Sequence, residues 1–405
     1  MIRQHMIKRD TIRQNMIRRT SFVALAALLG ICASAAHAED AVKVGIIATL
    51  SGPPAVLGQQ LRNGFQLAVK DLGGKLGGRD AEIVVADDEL KPDVAVTKVK
   101  SLIDRDKVDF VVGPIFSNIL GAIAKPVTEA NVILISPNAG TSTFAGKECN
   151  PNLFVTSYQN DQVHEVLGQY AQDSGFKKIV IIVPNYQAGK DAAAGFKHTF
   201  KGEILDEIYV PLGQLDYSAE ISRIAAASPD AIFAFIPGGM GVNFVKQFRQ
   251  SGLADKIPFL SAFTVDESTL PAQQDAAVGM LAGSDWAPNL DNPQNKAFVD
   301  EYIKEYNAVP ATYAMQAYDT ALLIDSAVRA VKGNLADKDA LRAALAKADF
   351  KSLRGAFKFN NNHYPIQNFY LTKVAKRPDG KYETEIVKTV FTNFGDSYAK
   401  DCPMK

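Results

Sequence analysis

The chain has 405 residues, and its 44 basic and 44 acidic side chains balance. That length is long for one hydrophobic core and comfortable for two lobes. No basic run or basic amphipathic helix stands out, which argues against nucleic acid or an anionic membrane as a partner.

The first residues read as an export leader. Arg18 and Arg19 make a positive end, Phe22 to Ile31 an apolar run too short for a permanent membrane helix, and Ala36-His37-Ala38 an A-x-A cleavage site. Residues 1–38 are expected to be removed, which frees a protein outside the cytoplasm starting at Glu39. The stretch before Met16 is an odd extension, with Met6 and Met16 as alternative starts. The surroundings of the arginine pair fit a folded-export signal poorly, so ordinary unfolded export is expected. The leader takes six bases and one acid with it, so the remainder is modestly acidic. Cys32 lies in the leader behind Ile31, where lipid anchoring would need a small residue. Cys149 and Cys402 remain, and an even pair in an oxidising compartment usually bonds. Two free thiols are the alternative.

Strand and helix then alternate. Val42 to Ala48 is a near-continuous apolar run, as a strand buried on both faces requires. Val56 to Leu72 has helical spacing. Gly73 to Gly78 is a glycine-rich turn, not a dinucleotide loop, because it follows a helix and precedes a strand. Strands are predicted at Ala81 to Ala86, Asp109 to Val112 and Val132 to Ile135, with helices at Val94 to Ile103 and Asn118 to Thr128. The pattern restarts with strands at Lys178 to Val183, Glu207 to Val210 and Ala231 to Ile236. Helices there are Gly189 to Phe200, Ala219 to Ala226 and Val242 to Ser251. Helices follow at Lys296 to Tyr306, Tyr313 to Val331 and Lys338 to Lys347. A two-stranded segment closes the order, Asn368 to Val374 and Tyr382 to Val390, turning at Pro378-Asp379-Gly380. This is α/β, with parallel open sheets in two similar sets.

In such sheets ligands bind beyond the carboxyl ends of the strands. The loops there hold Thr49 to Gly58, Gly113 to Asn118, Ser136 to Thr141, Pro184 to Gln187, Pro237 to Gly239 and Ser261 to Thr264. Ser117 and Asn118 open a helix, whose free N–H groups and dipole favour an anion. A plain N-cap is the other reading of Ser117. Asn138-Ala139-Gly140 adds further N–H donors and permits close approach. His164, His198 and His363 show no metal spacing, neither H-E-x-x-H nor G-x-S-x-G occurs, and Ser117 lacks an obvious base. No enzyme and no cofactor is expected.

These loops resemble the solute-binding proteins of ABC importers in the branched-chain amino-acid type family. The similarity rests on Val44-Gly45 through Ser51-Gly52-Pro53, Gly64 to Ala68, and Val112-Gly113-Pro114. It continues through Ile135-Ser136-Pro137, Leu215 to Ser218 and Ala317-Tyr318-Asp319. The resemblance implies a type I periplasmic binding protein: two doubly wound three-layer lobes joined by three crossover strands. Residues 39–156 plus 284–360 would form lobe 1, 157–283 plus 361–390 lobe 2, and 391–405 a C-terminal tail. Crossings are expected near Val155 to Ser157, Ala282 to Asp285 and Phe359 to Asn361.

The resemblance further implies ligand-binding roles for Leu57, Ile115, Phe116, Ser117, Asn138, Ala139, Gly140, Tyr186, Pro237, Gly238 and Phe263. Ser117 and the Asn138–Gly140 amides fall where relatives grip an α-carboxylate. Phe263 falls where they place the acid that holds the α-ammonium, and Glu267, four residues on, is a candidate acid in its place. Leu57 replaces an aromatic. A buried ammonium without a negative partner is costly, so the sequence looks like the aromatic-acid (coumarate- and benzoate-type) subgroup. Arg62, Trp286, Tyr313 and Tyr318 are further residues near the cleft, each with a packing or surface alternative. The implied partners are a small carboxylated solute and an ABC permease, with the protein a monomer. Branched-chain amino acids, amides or urea are the alternative ligands, and a ligand-sensing module for a membrane receptor is the alternative role.

Overall fold

The computed structural model describes residues 41–404. The leader and its cleavage site lie outside them. The first sheet layer runs β1 (Val42–Ala48), α1 (Ala55–Asp71), β2 (Lys75–Leu76), β3 (Arg79–Asp87), α2 (Pro92–Asp104), β4 (Phe110–Val112), α3 (Ser117–Glu129), β5 (Ile133–Ser136), α4 (Ser142–Ala145) and β6 (Leu153–Val155). Its strand order is β2-β3-β1-β4-β5-β6. All pairs are parallel except the short β2, which doubles back on β3 inside the glycine-rich turn. β1, β4 and β5 are almost wholly buried, because helices cover both faces of the sheet.

The second layer runs α5 (Asn160–Asp173), β7 (Lys178–Pro184), α6 (Gln187–Thr199), β8 (Glu203–Val210), α7 (Ser218–Ala227), β9 (Ala231–Ala234), α8 (Gly239–Gln250), β10 (Phe259–Ser261), α9 (Leu270–Gln273) and β11 (Leu281–Ser284). Next come α10 (Pro293–Tyr306), α11 (Thr312–Ala330) and α12 (Lys338–Lys347), then β12 (Lys358–Phe359), β13 (Pro365–Lys376) and β14 (Tyr382–Phe394). The sheet order is β12-β13-β11-β10-β9-β7-β8, with β14 on β13. The two-stranded segment predicted at the end is no separate ribbon: β13 pairs antiparallel with β11 and extends the sheet.

Both sheets wind the same way. The chain lays the second strand on one side of the first and the third on the other, so each sheet has a switch point, between β1 and β4 and between β7 and β9. After β11 the chain returns to the first layer, where α11 packs along α1. Gly64 is required there, since a Cβ would lie 2.0 Å from the Ala314 carbonyl oxygen. Trp286 is buried beside Phe298, its Nε1 donating to Asn295 Oδ1 at 2.7 Å.

Three connections join the layers, and a buried cation ties them. The Arg354 side chain is 2% exposed, and its partners Asp285 and Asp319 are fully buried. Its guanidinium donates to Thr156 O at 2.7 Å and Ser157 O at 3.1 Å on the first connection. It meets Asp285 on the second connection at 3.5 Å, Asp319 on α11 at 3.1 Å and Gln367 on β13 at 2.7 Å. Cys149 and Cys402 form a disulfide with Cα atoms 5.7 Å apart, tying the C-terminal tail to the loop before β6.

Candidate functional site: a cavity at two switch points

A cavity lies between the two layers. Its wall comes from residues just past the ends of five parallel strands: Ile115 after β4, Asn138 after β5, Tyr186 after β7, Phe235 after β9 and Phe263 after β10. Leu57 from α1, Asn160 and His164 from α5, and Tyr313 from α11 complete it. The rims meet across it. Gly239 N–H donates to Pro53 O at 3.2 Å, and Ser142 Oγ donates to Asp191 at 2.7 Å.

One end suits an anion. The amides of Ile119 and Leu120 turn back to the Phe116 carbonyl at 3.0 Å each, and Ser117 and Asn118 N–H at the start of α3 have no acceptor among the described residues. The cap position is Phe116, with no side-chain cap, so Ser117 is not an N-cap. Its Oγ instead accepts from Asn160 Nδ2 at 3.2 Å, and the same amide reaches Asp191 at 2.9 Å. Asn138 donates to Ile115 O at 2.7 Å and accepts from the Tyr158 hydroxyl at 3.1 Å, which fixes both side chains. No lysine, arginine, aspartate or glutamate is among the lining residues.

The rest of the wall is aromatic. Phe263 stacks on Tyr158 at 5.3 Å and meets Tyr313 at 6.1 Å and Phe235 edge-on at 6.3 Å. Phe116 lies 6.2 Å from Tyr186 across the cavity. Burial pushes the phenols of Tyr158, Tyr186 and Tyr313 well above their ordinary value, so all three stay neutral. Burial also lowers the His164 imidazole to about 3, which keeps it neutral.

Leu57, Ile115, Phe116, Ser117, Asn138, Ala139, Tyr186, Pro237 and Phe263 line this cavity together. Gly140 and Gly238 do not. The Gly140 amide is taken by Asn160 Oδ1 at 3.1 Å, and a Cβ there would strike the Tyr158 carbonyl, so this glycine supports the wall from behind. Gly238 has φ +67°, and a Cβ would lie 3.3 Å from Pro54 Cα, so it lets the opposing rims approach. Glu267 points elsewhere: its Oε1 accepts from Thr384 N and Oγ1 at 2.6 and 2.7 Å. Arg62 pairs with Asn63, and Tyr318 with Asp71 at 2.8 Å; neither reaches the cavity. Tyr158, Asn160, His164, Ala188 and Phe235 line it although loop reading did not select them.

A two-lobed α/β fold with a cavity between its lobes at the strand ends is the architecture of a binding protein for a small molecule. The chain belongs to the periplasmic binding protein family, whose pattern matches residues 41–381. It is thus a solute-binding protein of the ABC-transporter type, a class that binds small molecules and works with a permease rather than transforming its ligand. It is 31% identical over 392 residues to Leu/Ile/Val-binding protein homolog 6 of Brucella melitensis, covering 94% of this chain and 98% of that one. A solute-binding protein from R. palustris, solved in complex with benzoate, matches with TM-score 0.85 at 33% identity, over 90% of this chain and 100% of that one. Another, from Rhodopseudomonas palustris BisB5 in complex with 3,4-dihydroxy benzoic acid, matches with TM-score 0.83 at 33% identity, over 89% and 99%. No helix among the described residues is long and apolar enough to cross a membrane.

Proposed function

We propose that this protein captures an aromatic carboxylate of the benzoate or hydroxycinnamate type in the interlobe cavity and delivers it to an ABC permease. The observation that carries the proposal is the lining itself: six aromatic rings, free amides at the start of α3, and no acidic side chain. An α-amino acid would bring an ammonium group into this enclosure with no negative partner, at a cost of several kcal/mol. A flat carboxylate asks only for the anion end and the rings. The benzoate and dihydroxybenzoate bound by its structural relatives support the same chemistry.

Residues 39–156 plus 284–360 and residues 157–283 plus 361–390 act as the two jaws in this reading, with Ser117 receiving the carboxylate and Tyr186 and Phe263 closing over the ring. A thermal-shift and calorimetric panel on the protein lacking residues 1–38 tests it, pairing benzoate, 4-hydroxybenzoate and 4-coumarate with leucine, valine, an amide and urea. A ligand at 100 times its Kd stabilises by about 2.7 kcal/mol, a clear rise in midpoint. Stabilisation by the aromatic acids alone is expected. Stabilisation by leucine or valine alone would replace the aromatic reading with the amino-acid one.

A further inference from the structure

His164 is a buried polar group with no partner. It is 2% exposed and lines the cavity. Neither ring nitrogen hydrogen-bonds any protein group among the described residues, and Nδ1 is a fully enclosed orphan. The rings of Phe233, Phe235 and Phe263 present edges to it at 5.5, 5.0 and 6.3 Å, so the surrounding wall offers no replacement. Buried polar groups in folded proteins are nearly always satisfied; with Nδ1 enclosed by protein, Nε2, which is unpaired and not among the enclosed atoms, is the nitrogen a ligand in the cavity can satisfy.

The position of His164 defines which ligand atom meets it. Asn160 touches Ser117 at the anion end, and His164 is four residues further along the same helix. Side chains at that spacing share a face, about 5–6 Å apart. A benzene ring separates a carboxylate from its para substituent by a similar span. A neutral imidazole offers one donor and one acceptor, and a hydroxyl is the small group that can use either.

We infer that His164 is a specificity-determining residue that hydrogen-bonds a ring hydroxyl opposite the carboxylate, so that the preferred solutes are para-hydroxylated aromatic acids. The inference rests on the aromatic-acid reading and deepens it. Because the imidazole is neutral over the whole physiological range, the preference should be flat between pH 6 and pH 8.

Titration calorimetry separates the two claims. Benzoate tests the aromatic cavity; the ratio of 4-hydroxybenzoate to 4-methylbenzoate, which match in shape, tests His164. The unaltered protein should favour the hydroxyl by about tenfold or more, as one satisfied buried hydrogen bond implies. His164→Phe should bring that ratio to about one, and His164→Gln, which keeps a donor and an acceptor, should retain part of it. Equal affinity of the unaltered protein for the 4-hydroxy and 4-methyl compounds overturns the role of His164 without any variant having to fold. So does a preference that survives in His164→Phe. Failure of every aromatic acid to bind removes both claims.

Discussion

At the scale of single residues, Phe263 stands out because its backbone is paid for. It sits at φ +58°, a region bulky side chains rarely occupy, at a cost of about 1–3 kcal/mol. That conformation turns its ring onto Tyr158, Tyr313, Phe235 and His164 at the cavity wall. Phe263→Ala should weaken binding of an aromatic acid by roughly 1–3 kcal/mol through lost burial. Calorimetry on a protein with an unchanged circular dichroism spectrum checks it, and an unchanged affinity removes Phe263 from the site. Phe263 was legible in the sequence because a loop after a strand end is where such folds bind. Phe235 was not, because an apolar run from Ala231 to Ile236 reads as strand throughout. The strand ends at Ala234, and the next residue already faces the cavity.

At the scale of elements, the alternation of strands and helices was legible nearly throughout, since parallel strands under helices must be apolar on both faces. Among the longer elements, the one that escaped was α5, which carries Asn160 and His164. Apolar periodicity could not find it, because Asn160, Asp161, Gln162, His164 and Glu165 are polar and all buried. Its signal is at the start. The Gln159 side-chain oxygen accepts from Asp161 N at 3.2 Å, and Gln162 Oε1 accepts from Gln159 N at 2.9 Å. This reciprocal pair works as a capping box but uses glutamine where serine or threonine would have announced it. Gln159→Ala should cost about 1–2 kcal/mol in chemical denaturation, since the cap is buried. Hydrogen exchange should show the Asp161 amide opening faster; unaltered exchange there would mean that packing alone holds the helix start.

At the scale of the whole molecule, buried acids set the pH response. Burial, with Asp266 as a like-charged neighbour, raises Glu267 to about 8, and burial raises Asp161 to about 7. A carboxyl raised in the folded state stabilises it below its unfolded value, and that stability is lost as pH rises through the folded value. His164 and His363 act oppositely: held neutral at about 3 and about 4 by burial, they lose stability for the fold as pH drops below the ordinary histidine value. The thermal midpoint should therefore rise as pH falls from 8.5 to about 6.5. Glu267→Gln should flatten that rise in a calorimetric pH series, and an undiminished slope would assign it to other acids. The buried Arg354 has a different kind of consequence. It sits where the three connections between the layers converge, and a point on a rotation axis does not travel. A swing of one layer about these connections would leave its ion pairs whole. The work of such an opening would fall on the rim, on the Gly239–Pro53 and Ser142–Asp191 bonds, and on the contents of the cavity. A pivot of this kind would fix the path of the motion, and a bound solute how often it is taken.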